Sequence, residues 1–102
     1  MESQLNPNEF LLRQNYPNPF NSTTDIRYEI PDSRFLAPTT LKIYNILGQE
    51  VKTLVDEIKE AGLYTVTWDG TDNHGYTVAS GMYFYRLTAG DIVTTKKIVF
   101  LK

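Results

Sequence analysis

The sequence predicts an all-β protein, an immunoglobulin-like sandwich of about seven antiparallel strands in two sheets. Three observations predict this class. Apolar and polar residues alternate in short segments, turn-forming residues recur about every 8–12 positions, and no segment clearly favours a helix. Residues 64–87 hold the only tryptophan and four of the seven tyrosines. We therefore expect the core to form around that segment.

Length and charge limit the possible functions. The chain has 102 residues, enough for one domain that buries about 60–70% of its unfolded surface. The net charge of −2 and the pI near 5.3 argue against nucleic acid as a partner. There is no cysteine, which excludes disulfides and cysteine metal sites. No apolar run approaches about 18 residues and no signal peptide opens the chain, so we expect no membrane insertion.

The first elements follow from their turn residues and their alternation. Residues 1–9 are polar and indicate a linker or an artificial start, with the domain spanning residues 10–102. The apolar run at 10–14 is a candidate edge strand. Residues 15–24 contain two prolines and three asparagines, which favour an extended or turning path with Tyr16 and Phe20 folded back as plugs. Residues 25–30 alternate as a half-buried strand. Its inward residues are Ile26, Tyr28 and Ile30.

The middle of the chain predicts a hairpin. Residues 40–47 read as a strand ended by Gly48, and residues 51–54 as its partner across a tight turn. A helix over residues 49–61 competes, because the apolar residues from Val51 to Ile58 also fit helical spacing. The β-branched residues there and the neighbouring strands favour a strand, followed by a charged loop at 56–60.

Two strands of the central segment supply the predicted core. Alternation places the aromatic residues of 64–68 on one face, and the polar positions of the strand at 82–88 leave its odd-numbered residues inward. The predicted core residues are Tyr64, Val66, Trp68, Tyr83, Tyr85 and Leu87. Tyr83 follows a turn, so it is either a tyrosine corner or one more core aromatic.

The last strand, at 92–101, is predicted to pair with 82–88 through a tight turn at 89–92. It is apolar on both faces from Ile98 onward, so its end is either covered on two sides or binds a partner. Lys96 and Lys97 have two readings: they protect an edge from pairing, or they belong to a docking strand.

The sequence offers little chemistry. His74 stands in a turn, and Ser22, Ser33 and Ser80 have no paired base. Asp69, Asp72 and Asn73 superficially resemble a calcium loop, but their spacing does not match an EF-hand, and such residues also hydrogen-bond turn backbone. We therefore predict no enzyme, no catalytic residue, no metal site and no cofactor.

Several separate motifs resemble one known family. They are Gln-Asn-Tyr-Pro-Asn-Pro-Phe-Asn at 14–21, Ile-Tyr-Asn-Ile-Leu-Gly-Gln-Glu-Val at 43–51, Gly62 through Trp-Asp-Gly at 68–70, Ser-Gly-Met-Tyr at 80–83 with Tyr-Arg-Leu at 85–87, and Lys-Lys-Ile-Val-Phe-Leu-Lys at 96–102. Their order resembles the type A C-terminal sorting domain of type IX (Por) secretion substrates in the Bacteroidetes. The pattern is also similar to the immunoglobulin-like domain of the flagellar hook-capping protein.

The resemblance implies a non-catalytic sorting domain at the end of a larger cargo protein. Such a protein would cross the periplasm, pass the type IX outer-membrane translocon and reach the cell surface or the medium. A sortase would remove the domain at a junction here within residues 1–10. The family's recognition signal carries over to residues near the C-terminus. These are Gly90, Lys96, Lys97, Ile98, Val99 and Lys102.

Two expectations concern how partners would bind. Residues 98–102 are expected to offer backbone groups to another sheet by strand addition, with the lysines setting the orientation. The alternative function is a retained accessory module that binds carbohydrate or protein at the cell surface. Its aromatic residues would then form a sugar platform, although most of them fall on the inward set.

Overall fold

The all-β class is confirmed. A computed structural model describes residues 12–31 and 37–102, and the described residues form six strands, against about seven expected. The strands are β1 (Thr24–Ile30), β2 (Ala37–Tyr44), β3 (Glu50–Lys59), β4 (Gly62–Trp68), β5 (Gly81–Ala89) and β6 (Ile92–Phe100). Within these two ranges no helix is long and apolar enough to cross a membrane.

The strands form two antiparallel sheets. One contains β1 and β4, and the other has the order β3-β2-β5-β6. Leu12 and Tyr16 each bridge to β1, so the predicted edge strand at 10–14 exists as a partial strand as far as it is described. Pro17 and Pro19 follow it, and they cannot donate ladder hydrogen bonds. Proline therefore explains why this segment does not continue as a regular strand.

Alternation correctly predicts the inward faces of β1 and β5. Ile26, Tyr28 and Ile30 are at most 2% exposed, whereas Asp25 and Arg27 between them are exposed. Because side chains on a strand alternate between its two faces, one buried face fixes the register of the whole strand.

The hairpin of β2 and β3 is shifted and longer than predicted. β2 ends at Tyr44 because the Asn45 side-chain oxygen accepts hydrogen bonds from the backbone N–H groups of Leu47 and Gln49, which forms a turn there. β3 continues to Lys59, so the predicted loop at 56–60 is wrong, as is the competing helix. The cause is β2, which begins at Ala37 and pairs with residues 55–59 of β3.

The core lies between the two sheets around Trp68. The Trp68 ring centroid lies 5.4 Å from that of Phe20, 5.5 Å from Tyr83 and 6.1 Å from Phe100. Phe20 is 2% exposed, as the plug prediction requires, but Tyr16 is 80% exposed, so that half of the prediction is wrong. Tyr16 pairs through its backbone with Asp25, and its side chain points to solvent.

The six residues predicted for the core divide into two groups. Trp68, Tyr83, Tyr85 and Leu87 are buried. Tyr64 and Val66 are partly buried and pack against the core. The Tyr64 ring stacks on Tyr28 with centroids 5.3 Å apart. Tyr83 also donates a hydrogen bond from its hydroxyl to the Ala79 carbonyl at 2.6 Å, the short upstream bond of a tyrosine corner.

Candidate functional site

The six residues predicted for recognition lie on different sides of β6. Gly90 occupies the turn before the strand with φ +62°, a conformation in which other residues are strained. Ile98 is fully buried. Lys96 lies opposite Tyr85 and is half-buried on the same inner face. These three residues therefore place and anchor the strand.

Three of the six remain at the surface or near it. Lys97 and Val99 lie on the outer face of the sheet, Lys97 exposed and Val99 half-buried. Lys102 is exposed, and its backbone N–H donates to the Ser80 hydroxyl at 2.9 Å. A partner can therefore reach the side chains of Lys97, Val99 and Lys102, whereas Ile98 is accessible only if the sandwich opens.

Residues 14–20, which we name the arm, lie along the outer edge of β6. The Phe20 N–H donates to the Val99 carbonyl at 3.0 Å, and the Leu101 N–H donates to the Phe20 carbonyl at 2.8 Å. The Val99 N–H donates to the Asn18 side-chain oxygen at 3.0 Å. The Gln14 side chain donates to the Lys97 carbonyl at 2.9 Å. The end of β6 is thus already paired, and the expectation that it offers free backbone groups for strand addition is wrong at these positions.

The arm is fixed at both of its ends. Phe20 stacks on Phe100 with ring centroids 4.8 Å apart. At the other end, the Tyr85 hydroxyl accepts from the Asn15 N–H at 2.9 Å and donates to the Arg13 carbonyl at 2.8 Å. Burial raises the pKa of Tyr85 to about 12, so this phenol stays protonated and keeps donating at neutral pH. The arm is consequently part of the folded domain.

The first half of the β6 edge is open. Val99 directs its backbone groups toward the arm, and alternate residues of a strand direct theirs to the same side. Val93 and Thr95 therefore face away from β5, and β6 is an edge strand in the described sheet. In the part of the chain that the structure describes, no segment bridges to them.

The acidic loop after β4 uses its carboxylates to hold its own backbone. One Asp69 oxygen accepts hydrogen bonds from the Thr71 N–H and hydroxyl. One Asp72 oxygen accepts from the N–H groups of His74 and Tyr76. These hydrogen bonds lower the pKa of both carboxyl groups, because they favour the charged form. The loop therefore has the turn geometry that the sequence offered as the alternative to a calcium site.

Groups that could perform catalysis do not converge. His74 is exposed in its turn, and the Ser80 hydroxyl is the acceptor for Lys102. Ser33 lies outside the described residues. Over residues 12–31 and 37–102, no group of three or more His, Cys, Asp or Glu residues could hold a metal ion. The arrangement that remains is a surface for a partner, built on β6 and its neighbours.

Sequence reasoning missed the arm as a partner of β6. The signal was present in the asparagines of the 14–21 motif, which alternate with prolines. A side-chain amide can replace the ladder hydrogen bond that a proline cannot make. Asn18 does this for Val99. However, the bond joins residues 81 positions apart, and no local pattern identifies such a partner.

Comparisons with known proteins agree with this geometry. The sequence model of the FlgD Ig-like domain matches residues 20–91. No curated protein matches the chain. Among solved structures, the chain is similar to the crystal structure of dimeric latent PorU from Porphyromonas gingivalis, with a TM-score of 0.72 and 20% identity. The match covers 88% of this chain and 9% of that one. The chain therefore has the fold of a small part of PorU.

Proposed function

This chain belongs to the FlgD Ig-like domain family, and on that premise we propose that it is a non-catalytic C-terminal sorting domain. It directs a larger N-terminal cargo protein through the type IX outer-membrane translocon. Its partners are translocon components and a sortase. Its route runs through the periplasm to the cell surface or the medium.

One observation carries the proposal: the separate sequence motifs meet at the last strand. Asn18 and Phe20 of the first motif hydrogen-bond to Val99 and Leu101 of the last. Trp68 of the Trp-Asp-Gly motif packs against Phe20 and Phe100. Motifs that otherwise look unrelated thus hold one strand in place, as expected of a domain whose role is to present its C-terminal strand to a receptor.

The fold match gives further support. Type IX secretion is also called Por secretion, and PorU carries that name. The proposed junction for the sortase, within residues 1–10, lies outside the described residues. A cut there leaves the arm on the domain, where it stays bonded to β6. Removal of cargo would therefore not disturb the sandwich.

The test is export of a reporter. Residues 1–102 are fused to the C-terminus of a fluorescent protein that follows a signal peptide, in a bacterium with a type IX system. We expect the reporter at the cell surface, without the domain if the sortase acts. In an isogenic strain that lacks the translocon, we expect the reporter in the periplasm.

The controls distinguish the rival function. Reporter that remains periplasmic in both strains, with the fused domain folded, would overturn the sorting role. Reporter that reaches the surface equally in both strains would show a route other than type IX. Surface reporter that retains the domain would favour an accessory module after export, and binding to surface carbohydrate or protein would then be measured on the purified domain.

A further inference from the structure

The outer face of the four-stranded sheet combines apolar and cationic side chains. Strand register places Tyr44, Phe84 and Lys97 in one row across β2, β5 and β6. Met82 and Val99 form the neighbouring row. On the other side of the first row, the Arg86 guanidinium lies 4.8 Å from the centroid of the Tyr44 ring. The central part of this face is therefore neither a polar solvent face nor a covered core.

The charges on this face are unbalanced. Lys42 is paired with Glu50 at 3.3 Å, and Asp56 lies on the edge strand β3, opposite Thr40. The outward positions of β5 and β6 carry no carboxylate, so Arg86 and Lys97 have no acidic partner on their own strands. A local excess of positive charge thus occurs in a chain whose net charge is −2.

We propose that this surface is the recognition surface of the domain. It consists of Met82, Phe84, Arg86, Lys97 and Val99, and we name it the β5–β6 face. The inference rests on the proposed sorting function. The occupant is a protein component of the translocon that presents an apolar patch bordered by carboxylates, which would pair with Arg86 and Lys97.

Three observations favour side-chain recognition here over strand addition at the chain end. The arm already occupies the backbone groups of Val99 and Leu101. Lys97 and Val99 of the closing motif direct their side chains to this face and contribute to both of its rows. Met82, which lies opposite Val99, is 42% exposed, and an exposed apolar side chain among cations is typical of a protein interface.

The experiment reverses charge in the reporter fusion. Arg86→Glu with Lys97→Glu places two carboxylates against those of the partner, so we expect surface reporter to fall at least tenfold. The matched control is Arg13→Glu with Arg27→Glu, which makes the same charge change at exposed positions of the other sheet. The control is expected to export like the unchanged domain.

Two further measurements protect the interpretation. Thermal unfolding of each purified domain shows whether it folds. Lys97→Glu alone serves as the milder variant, because the Lys97 side chain is exposed; it should still reduce export severalfold. Sedimentation with phosphatidylglycerol vesicles tests a lipid occupant. Binding to them that is lost in the face variant would reassign the face to membrane and overturn the proposal of a protein partner.

The outcomes separate this inference from the function on which it rests. If the unchanged domain is not exported, the sorting role fails. If the unchanged domain is exported and the face variant, folded, is exported equally well, the β5–β6 face is not the recognition surface although sorting stands. Equal losses in the face and control variants would indicate a general effect of charge and would also overturn the inference.

Discussion

At the scale of single residues, Gly70 shows how closely the motifs are packed. Its φ is +77°, and a Cβ built there would lie 2.7 Å from the Phe100 ring. Gly75 has a similar φ of +90° with no atom within 4 Å of its Cβ position. The two glycines therefore separate the cost of backbone conformation from the cost of a steric clash.

We predict that Gly70→Ala destabilises the domain more than Gly75→Ala. The control loses about 1–2 kcal/mol, the cost of a left-handed conformation for a non-glycine residue. Gly70→Ala loses a further amount of about 1–3 kcal/mol, because Phe100 is packed between other rings and overpacking is costly there. Urea unfolding of both variants measures the difference. Equal losses would mean that Phe100 moves aside freely.

Tyr85 shows what sequence can reveal about one residue. Alternation along β5 predicts that its side chain points inward, and it is fully buried. Its hydroxyl bonds to Arg13 and Asn15, which are 72 and 70 positions away. A pattern of period two identifies the buried face of a strand but not the residue that lies across the core. The side of each core residue was therefore predictable, and its polar partner was not.

At the scale of elements, the arm is the feature with the largest consequence for function. It supplies the last strand with hydrogen bonds that would otherwise go to solvent or to another chain. The bond from the Val99 N–H to the Asn18 side chain is 3.0 Å long. Asn21 is exposed and is a matched control of the same residue type, three positions along.

We predict that Asn18→Ala accelerates amide exchange at Val99. The loss of its acceptor leaves the Val99 N–H to water, so local opening becomes easier while the remaining strands keep their protection. Hydrogen exchange followed by NMR measures this, and Asn21→Ala should leave the Val99 rate unchanged. Faster exchange throughout all six strands in Asn18→Ala would instead indicate global destabilisation, and an unchanged Val99 rate would show that the arm does not protect this edge.

The length of an element was harder to predict than its type. β1 has one fully buried face, and its bounds were predicted to within one residue. β3 has an edge position and few buried residues, so its own sequence gives a weak signal. Its length is set by pairing with β2, and pairing between strands is a tertiary property that overrides local preference.

At the scale of the whole molecule, function depends on how the two sheets divide the C-terminal motif. The inner face of β6 contributes Ile98 and Phe100 to the core, while Lys97 and Val99 point outward. The sequence located this motif correctly at the last strand. It did not indicate which of its residues a partner could reach, because that depends on the arm and on the neighbouring strand β5.

Buried tyrosines make the stability of the whole sandwich sensitive to alkaline pH. Burial raises the pKa of Tyr28 and of Tyr85 to about 12, whereas the phenol of an unfolded chain titrates near about 10. Folding therefore favours the protonated form. The stabilisation is fully present below the unfolded pKa and is lost as the pH rises through the folded value.

We predict that the free energy of unfolding falls between about pH 10 and about pH 12, because the unfolded chain releases these protons first. Urea unfolding across this range measures the change. Phenolate absorbance, read beside circular dichroism, should show these two tyrosines ionising only as the β signal is lost, and the same titration in concentrated guanidinium chloride gives the unfolded reference. If all seven tyrosines ionised near the unfolded value with the β signal intact, Tyr28 and Tyr85 would be accessible to water, and the bond that holds the arm to β5 would not be buried.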